Sequence, residues 1–251
     1  MNTKKIKINR GDKMKAVSIT NRGGRTHNED CVGYAHTEGI WCFVLCDGLG
    51  GHSCGEIASK IVCDAVLEAF KKKPEISPCA LRNYLEKAAC ILGEERENDD
   101  KKYNMSSTAV VLVTDGKKAG YAHAGDSRLY YISSDGISAV TSDHSIAFME
   151  YEQGRITYDD IRKSPNQNRL TRCINDIYGF APDISEVIEL NNNDAFLMCS
   201  DGFWEYVNEE NIQVAFRTSY SPKSWLRKML LYLHENEIEK NDNYSAITVM
   251  I

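Results

Sequence analysis

Apolar residues recur along this chain in two rhythms, a short one and a helical one. Near the start they form brief runs, Ala16–Thr20, Cys31–Ala35 and Ile40–Cys46, rich in Val, Ile, Phe and Trp and broken by Gly-containing turns. Such runs predict three strands. The spacing then widens. Ser53 with Glu56 has the form of a capping box, and Ile57, Ile61, Ala65 and Val66 continue one helical face. A second helix is predicted from Ser77-Pro78, an N-cap followed by proline at the first helical position, with Leu81, Leu85, Ala88 and Leu92 along one side.

From Ser106 the short runs return as Thr108–Val113, Gly120–Ala124, Leu129–Ile132 and Ile137–Val140, with turns at Asp115-Gly116 and Ser134-Asp-Gly136. Residues 143–170 are polar and helix-prone, with Thr157 and Asp160 as another capping pair; they read as an insertion on the sheet edge that gives the core few residues. Strands are expected again at Ile184–Leu190 and Ala195–Cys199. A helix from Ser221-Pro222 follows, with Trp225, Met229 and Leu233 on one face, and Ala246–Ile251 is the last strand. Strands, two helices, strands, helix, strand is not the alternation of a doubly wound sheet. It predicts an α+β fold, with helices outside a sandwich of largely antiparallel sheets. Within the 251 residues, 1–14 are expected to form a flexible N-terminal tail and 15–251 a single domain.

Composition narrows the function by exclusion. A formal net charge of -6 argues against nucleic acid as a partner, because phosphate backbones select a basic stripe. The apolar runs are too short to cross a bilayer, and the basic N-terminus lacks the apolar segment of a secretory signal. The nine cysteines are odd in number, include no Cys-x-x-Cys pair and sit mostly in apolar runs, which points to a reducing, cytoplasmic setting. Cys90 and Arg96 share the C-x5-R spacing of cysteine-dependent phosphatases. The interval Ile-Leu-Gly-Glu-Glu is helical and doubly acidic, so the spacing reads as chance.

The candidate chemistry lies in four aspartates placed where apolar runs stop. Asp47 ends Trp41-Cys-Phe-Val-Leu-Cys46, Asp201 follows Ala195–Cys199, Asp30 closes Arg25-Thr-His-Asn-Glu-Asp30, and Asp242 precedes the C-terminal run. If those strands are neighbours, the carboxylates gather at one sheet edge, where a divalent cation relieves their repulsion. Oxygen-only ligands favour Mg²⁺ or Mn²⁺ over Zn²⁺.

Taken together the motifs resemble those of the metal-dependent protein phosphatases, protein phosphatase type 2C, and most nearly the small bacterial members. Arg25-Thr-His-Asn-Glu-Asp30 is similar to R-x-x-N-E-D, and Asp47-Gly-Leu-Gly-Gly-His52 with Gly55-Glu56 is similar to D-G-x-G-G-H-x-x-G-E. Ser107-Thr108-Ala109, Gly125-Asp126-Ser127-Arg128, Thr141-Ser-Asp143-His144-Ser145, Leu170-Thr171-Arg172, Ser200-Asp201-Gly202 and Asp242-Asn243 follow in the family's order. The resemblance implies a four-layer α/β/β/α sandwich with a binuclear metal site at one end. It also implies that 143–170 is the family's flap. Carried over by motif, Asp47 bridges two ions with the Gly48 carbonyl as a further ligand. Asp201 and Asp242 hold one metal, and Asp30 and Glu29 lie at the same site. Arg25 grips the substrate phosphate, and Asp126 binds a third, weaker ion. Paired cations lower the pKa of a shared water and neutralise a phosphomonoester dianion, while a guanidinium forks onto its oxygens; no covalent enzyme intermediate is required.

Each assignment has a plainer counterpart. Asp47 and Asp201 precede glycine, as many turn aspartates do. Arg25 has Arg22 beside it on what could be ordinary surface, and Asp126 could pair with Arg128 at a strand end. Leu49 stands where some family members carry a histidine proposed as general acid. His52 is the nearest substitute, although a structural role suits both His52 and His144 better. The activity expected is Mg²⁺- or Mn²⁺-dependent hydrolysis of phosphoserine and phosphothreonine in proteins. The expected setting is a monomer acting against a serine/threonine kinase. The rivals are a pseudophosphatase serving as a regulatory binding module, and a phosphatase for small phosphomonoesters.

Overall fold

In the computed structural model the described residues are 4–6, 14–50, 54–98, 104–175, 180–236 and 241–251. The first strands are Lys4–Lys5 (β1), Lys15–Asn21 (β2), Asp30–Thr37 (β3) and Ile40–Leu49 (β4). Helices Cys54–Lys72 (α1) and Pro78–Glu97 (α2) come next. Strands Ser106–Ser107 (β5), Ala109–Thr114 (β6), Lys118–Ala124 (β7), Arg128–Ser133 (β8) and Gly136–Val140 (β9) follow. After helix Ile146–Glu152 (α3) and a 3-10 turn at Ile161–Lys163, the chain forms Asp183–Ile184 (β10), Ile188–Glu189 (β11) and Ala195–Cys199 (β12). It ends with helices Asp201–Trp204 (α4), Glu209–Arg217 (α5) and Pro222–Asn236 (α6) and strand Tyr244–Met250 (β13).

All the pairings are antiparallel and make two sheets. One runs β1-β2-β13-β12-β8-β9; the other runs β10-β7-β6-β4-β3, with β11 on β7 and β5 on β4. Three apolar layers hold them. Trp41, Phe43 and Leu45 of β4 meet Phe196, Met198, Ile247 and Val249 between the sheets. The alternate residues Cys42, Val44 and Cys46 pack against α1 and α2, with Val62, Phe70, Leu81 and Leu85. On the far side Leu197, Cys199 and Ala246 lie under Trp204, Trp225, Met229 and Leu233. A strand buried on both faces has no polar side to show, which is why β4, β6 and β12 read as unbroken apolar runs. This is the expected α+β sandwich with helices on both outer faces.

Local signals act as expected at several ends. Ser77 accepts from Ala80 N at 3.1 Å, and Thr157 donates to Asp160 through both its amide and its hydroxyl. Ser53 lies outside the described residues. Three expectations change. Lys4–Lys5 pair with β2, and Ile6 and Met14 are buried, so these positions of the presumed tail are part of the fold. The run Ile184–Leu190 is two short strands, because Ser185 breaks the ladder: its hydroxyl accepts from Tyr121 N while its own amide donates to Tyr121 O. The span from Cys199 to Ser221, where no helix is expected, holds α4 and α5.

Candidate metal centre and active site

Register brings the predicted acids to one end of both sheets. In the β3–β4 pair, Asp30 stands directly opposite Asp47. In the other sheet Cys199 is opposite both Ala246 and Arg128, and Tyr244 is opposite Asn21. The segments entering or leaving those positions carry Asp201, Asp242, Asp126 and Arg25, and they meet at the same edge. A cavity of about 510 Å³ opens there, lined among others by Arg25, Glu29, Asp47, Gly48, Asp201 and Asp242.

Side chains bonded to backbone, and close backbone approach, fix this arrangement. Asn243 staples the 22–29 loop to β13: its Oδ1 accepts from Glu29 N at 2.7 Å, and its Nδ2 donates to the carbonyls of Arg22 and His27 at 2.8 and 2.9 Å. Thr108 grips Asp47, accepting from its amide at 2.9 Å and donating its own amide to the Asp47 carbonyl at 2.8 Å. Gly48 donates to Glu29 O at 3.0 Å, and a Cβ on it would stand 1.8 Å from the Gly55 carbonyl oxygen. Only glycine allows β4 and the start of α1 to approach this closely.

Electrostatically the cluster is short of positive charge. Asp30 Oδ2 accepts from Ser200 Oγ at 2.8 Å, but its Oδ1 is buried with no hydrogen-bond partner among the described residues. Burial, with Asp201 and Asp242 adding to it, pushes the Asp30 carboxyl up to about 7. Burial and then Asp242 bring Asp201 to about 6. Asp47 rises well above the usual carboxylate range through burial, then through Asp201 and Asp30. Among the described residues Arg25 pairs with the cluster: its Nη2 lies 2.7 Å from Asp242 Oδ2, with the arginine side chain 57% exposed. Desolvated carboxylates crowded around an orphaned oxygen fit hard divalent cations with oxygen ligands, and Glu29, Asp30, Asp47, Asp201, Asp242 and the Gly48 carbonyl are the groups placed to hold them.

Asp126 is buried beside this group. Burial raises its carboxyl first, then Asp201 does. It is not consumed by Arg128, whose guanidinium forks onto Asp143 at 2.8 and 2.6 Å and lies 3.7 Å from the Trp204 ring centroid. Trp204 in turn donates its indole N–H to the Asp126 carbonyl at 2.9 Å. One acid is missing from the sequence-based set. Glu205 follows Asp201 by four positions at the end of α4, accepts from Gln167 Nε2 at 2.7 Å, and is raised to about 8 by burial and then by Asp201. The i, i+4 spacing Asp201-x-x-x-Glu205 is the signal that could have found it.

The order and geometry of these motifs can be compared with known proteins. A model of the protein phosphatase 2C family matches residues 20–242. The chain belongs to the protein phosphatase 2C family. Among relatives, the protein phosphatase PhpP of Streptococcus pneumoniae is 30% identical over 193 residues, covering 75% of this chain and 78% of PhpP. The serine/threonine phosphatase stp of Listeria innocua is 27% identical over 207 residues, or 80% and 82% of the two chains. PstP of Mycobacterium tuberculosis is 28% identical over 194 residues, 77% of this chain but only 37% of PstP. The serine/threonine phosphatase Stp1 from Staphylococcus aureus superposes with a TM-score of 0.85 at 29% identity, covering 99% of each chain. The catalytic domain of PstP, solved in complex with two manganese ions, superposes with a TM-score of 0.81 at 25% identity, covering 94% of this chain and 97% of that one.

Leu49 lines the cavity, so no proton donor stands at that position, while His27 from the 22–29 loop lines it too. His52 lies outside the described residues. His144 is away from the cavity lining, buried and stacked on His123 with ring centroids 4.5 Å apart, in keeping with a structural histidine. No helix among the described residues is long and apolar enough to cross a membrane.

Proposed function

We propose that the protein is a Mg²⁺- or Mn²⁺-dependent phosphatase that hydrolyses phosphoserine and phosphothreonine in proteins, in opposition to a serine/threonine kinase. The carrying observation is the convergence of Asp30, Asp47, Asp201 and Asp242, with Arg25, at one end of the two sheets. Residues 15–251, joined by the Lys4–Lys5 strand and the buried Ile6 and Met14, would form one catalytic domain acting as a cytoplasmic monomer. When bound, two divalent cations supply positive charge that acidifies water and neutralises a phosphate dianion.

The chain's own residues supply position. Asp47 would hold both ions, with the Gly48 carbonyl as a further ligand; Asp201 and Asp242 would hold one of them, and Glu29 and Asp30 would lie at the same site, partly through water. Asp126 would hold a third, weaker ion. Arg25 orients the phosphate: a phosphate dianion competes with Asp242 for the guanidinium and offers it two parallel acceptors, and the exposure of Arg25 leaves it free to swing. Leu49 cannot donate a proton, so the leaving alcohol takes its proton from solvent held at the site. The intact acids favour an enzyme over a pseudophosphatase, since each of the predicted carboxylates reaches the same end of the fold.

The test compares a phosphothreonine peptide with a generic aryl phosphate, each with Mn²⁺ and with chelator. Mn²⁺-dependent turnover that prefers the peptide is expected. Absence of turnover on both would leave the binding-module reading, and preference for the small ester would give the substrate class to small phosphomonoesters.

A further inference from the structure

His123, His144 and Asp183 converge outside the cavity, with potential ligand atoms within 4.8 Å of one another. Histidines with a carboxylate suggest a metal, but the proton inventory of His144 excludes it. The Gly125 amide donates to His144 Nδ1 at 3.1 Å. A neutral imidazole has one lone pair and one N–H. The Gly125 amide takes the lone pair, so the proton sits on Nε2, where a cation would need an acceptor. Nε2 instead faces the carboxylate of Asp183, Oδ2 at 3.2 Å in a bent contact, and Arg172 Nη1 holds the other oxygen, Oδ1, at 2.7 Å.

We propose that His144 is a positioning residue that clamps the Gly125 peptide and thereby aims the Asp126 carboxylate. The clamp is two-sided: the His144 amide donates to the Gly125 carbonyl at 3.0 Å while its ring accepts from the Gly125 amide. Gly125 needs such a hold. It sits at φ +108, and a Cβ there would come 2.5 Å from Thr108 Cγ2, so no side chain of its own can restrict it. The same Thr108 grips Asp47, so a shift at Gly125 reaches two of the acids. The His144 carbonyl accepts from Thr171 N at 2.8 Å and Ser145 bridges Leu170, so the clamp also closes the neck of the 143–170 insertion. Arg172, Asp183, His144 and Gly125 thus form a chain of contacts ending one residue from Asp126. This inference rests on the reading of Asp126 as the holder of a weaker third ion.

Nitrogen NMR of the imidazoles in chelator-treated protein reads the tautomer without metal or turnover. His144 is expected protonated on Nε2 and bare on Nδ1; the opposite tautomer overturns the proposal. Asp183→Asn is the sharper variant. Its carbonyl must turn to Arg172, leaving its NH₂ against Nε2–H, donor to donor, and the His144 signals should shift to the other tautomer or broaden. Unchanged signals would overturn the proposal. In Mn²⁺ titrations of turnover, His144→Leu should raise the half-saturating concentration about tenfold with the KM for peptide kept, while His144→Asn, whose Oδ1 can replace Nδ1, should stay within about threefold of wild type. A wild-type titration for His144→Leu, beside an impaired Asp126→Ala, would refute the clamp alone. A wild-type titration for Asp126→Ala would refute the third-ion reading instead, with the tautomer still deciding whether the clamp exists.

Discussion

At the scale of single residues, the roles of the acids separate by what surrounds each. Asp47 and Asp201 face like charges in a desolvated edge, so neutralising either removes both a ligand and a source of repulsion. Asp47→Asn and Asp201→Asn should each lower kcat by about a thousandfold or more in saturating Mn²⁺. The same variants should melt higher than wild type in chelator. Near-normal turnover would sink the ligand assignment, and a lower melting point in chelator would sink the account of crowded charge. Arg25 is different, because it is exposed and paired with Asp242 rather than buried. Arg25→Ala should act mainly through KM and cost about 1.5–3 kcal/mol in kcat/KM, the worth of one charge-assisted contact. Steady-state kinetics with both parameters unchanged would move phosphate binding elsewhere. Asp126→Ala should keep two tight Mn²⁺ sites by calorimetry yet lose turnover, and loss of a tight site outright would make Asp126 a core ligand.

At the scale of elements, close backbone approach sets the site together with the Asn243 and Thr108 side chains. Gly202 is the second residue of α4, and a Cβ there would stand 2.2 Å from the Asn243 carbonyl oxygen. Helix propensity alone would make Gly202→Ala favourable by about 1 kcal/mol. The clash with rigid backbone should outweigh it, so the variant is expected to unfold about 1–3 kcal/mol more easily in denaturant titrations. A more stable variant would show that α4 and the 241–243 turn are looser than their packing indicates. The elements were legible wherever burial produced a run: β4, β6 and β12 are apolar on both faces, and Ser77 and Thr157 sit at their turns as their chemistry predicts. Short elements were not. The four residues of α4 are too few for a helical period, and Ser200-Asp201-Gly202 reads as a turn. The α5 helix did carry a signal, Asn208 capping Asn211 N with Glu209 and Glu210 in the first turn and Ile212 and Ala215 inward. The acids of the site were legible because each stands at or within a few residues of a strand terminus; Glu205 was not, because its partners come from α4 and the 143–170 insertion, a contact that no strand pattern encodes.

At the scale of the whole molecule, two sheets that end in crowded acids make stability depend jointly on cations and pH. An unfolded aspartate titrates near 3.9 and a glutamate near 4.3. In the folded chain Asp30 reaches about 7 and Glu205 about 8, both raised chiefly by burial. Between the unfolded and folded values the native state holds protons that the unfolded chain has released, so stability falls as pH rises through this range. His144, which burial lowers to about 4, and His123, also lowered by burial, work in the opposite sense: their contribution grows with pH and levels off only about one unit above the unfolded histidine value. From pH 6.5 to 8.5 the acids outweigh what remains of the histidine contribution, and the thiols of Cys42 and Cys199, also raised by burial, add to the fall near its upper end. In chelator the melting temperature should fall across that window. With Mn²⁺ at a hundred times its dissociation constant the cation gives about 2.7 kcal/mol per site, and it competes with the same protons, so the fall should vanish or reverse. Calorimetric scans at pH 6.5, 7.5 and 8.5, with and without Mn²⁺, check both halves. A chelated protein that grows more stable towards pH 8.5 would mean that the acids at the sheet ends already have their counter-charge from the protein, and the case for a cation site would lose its physical basis.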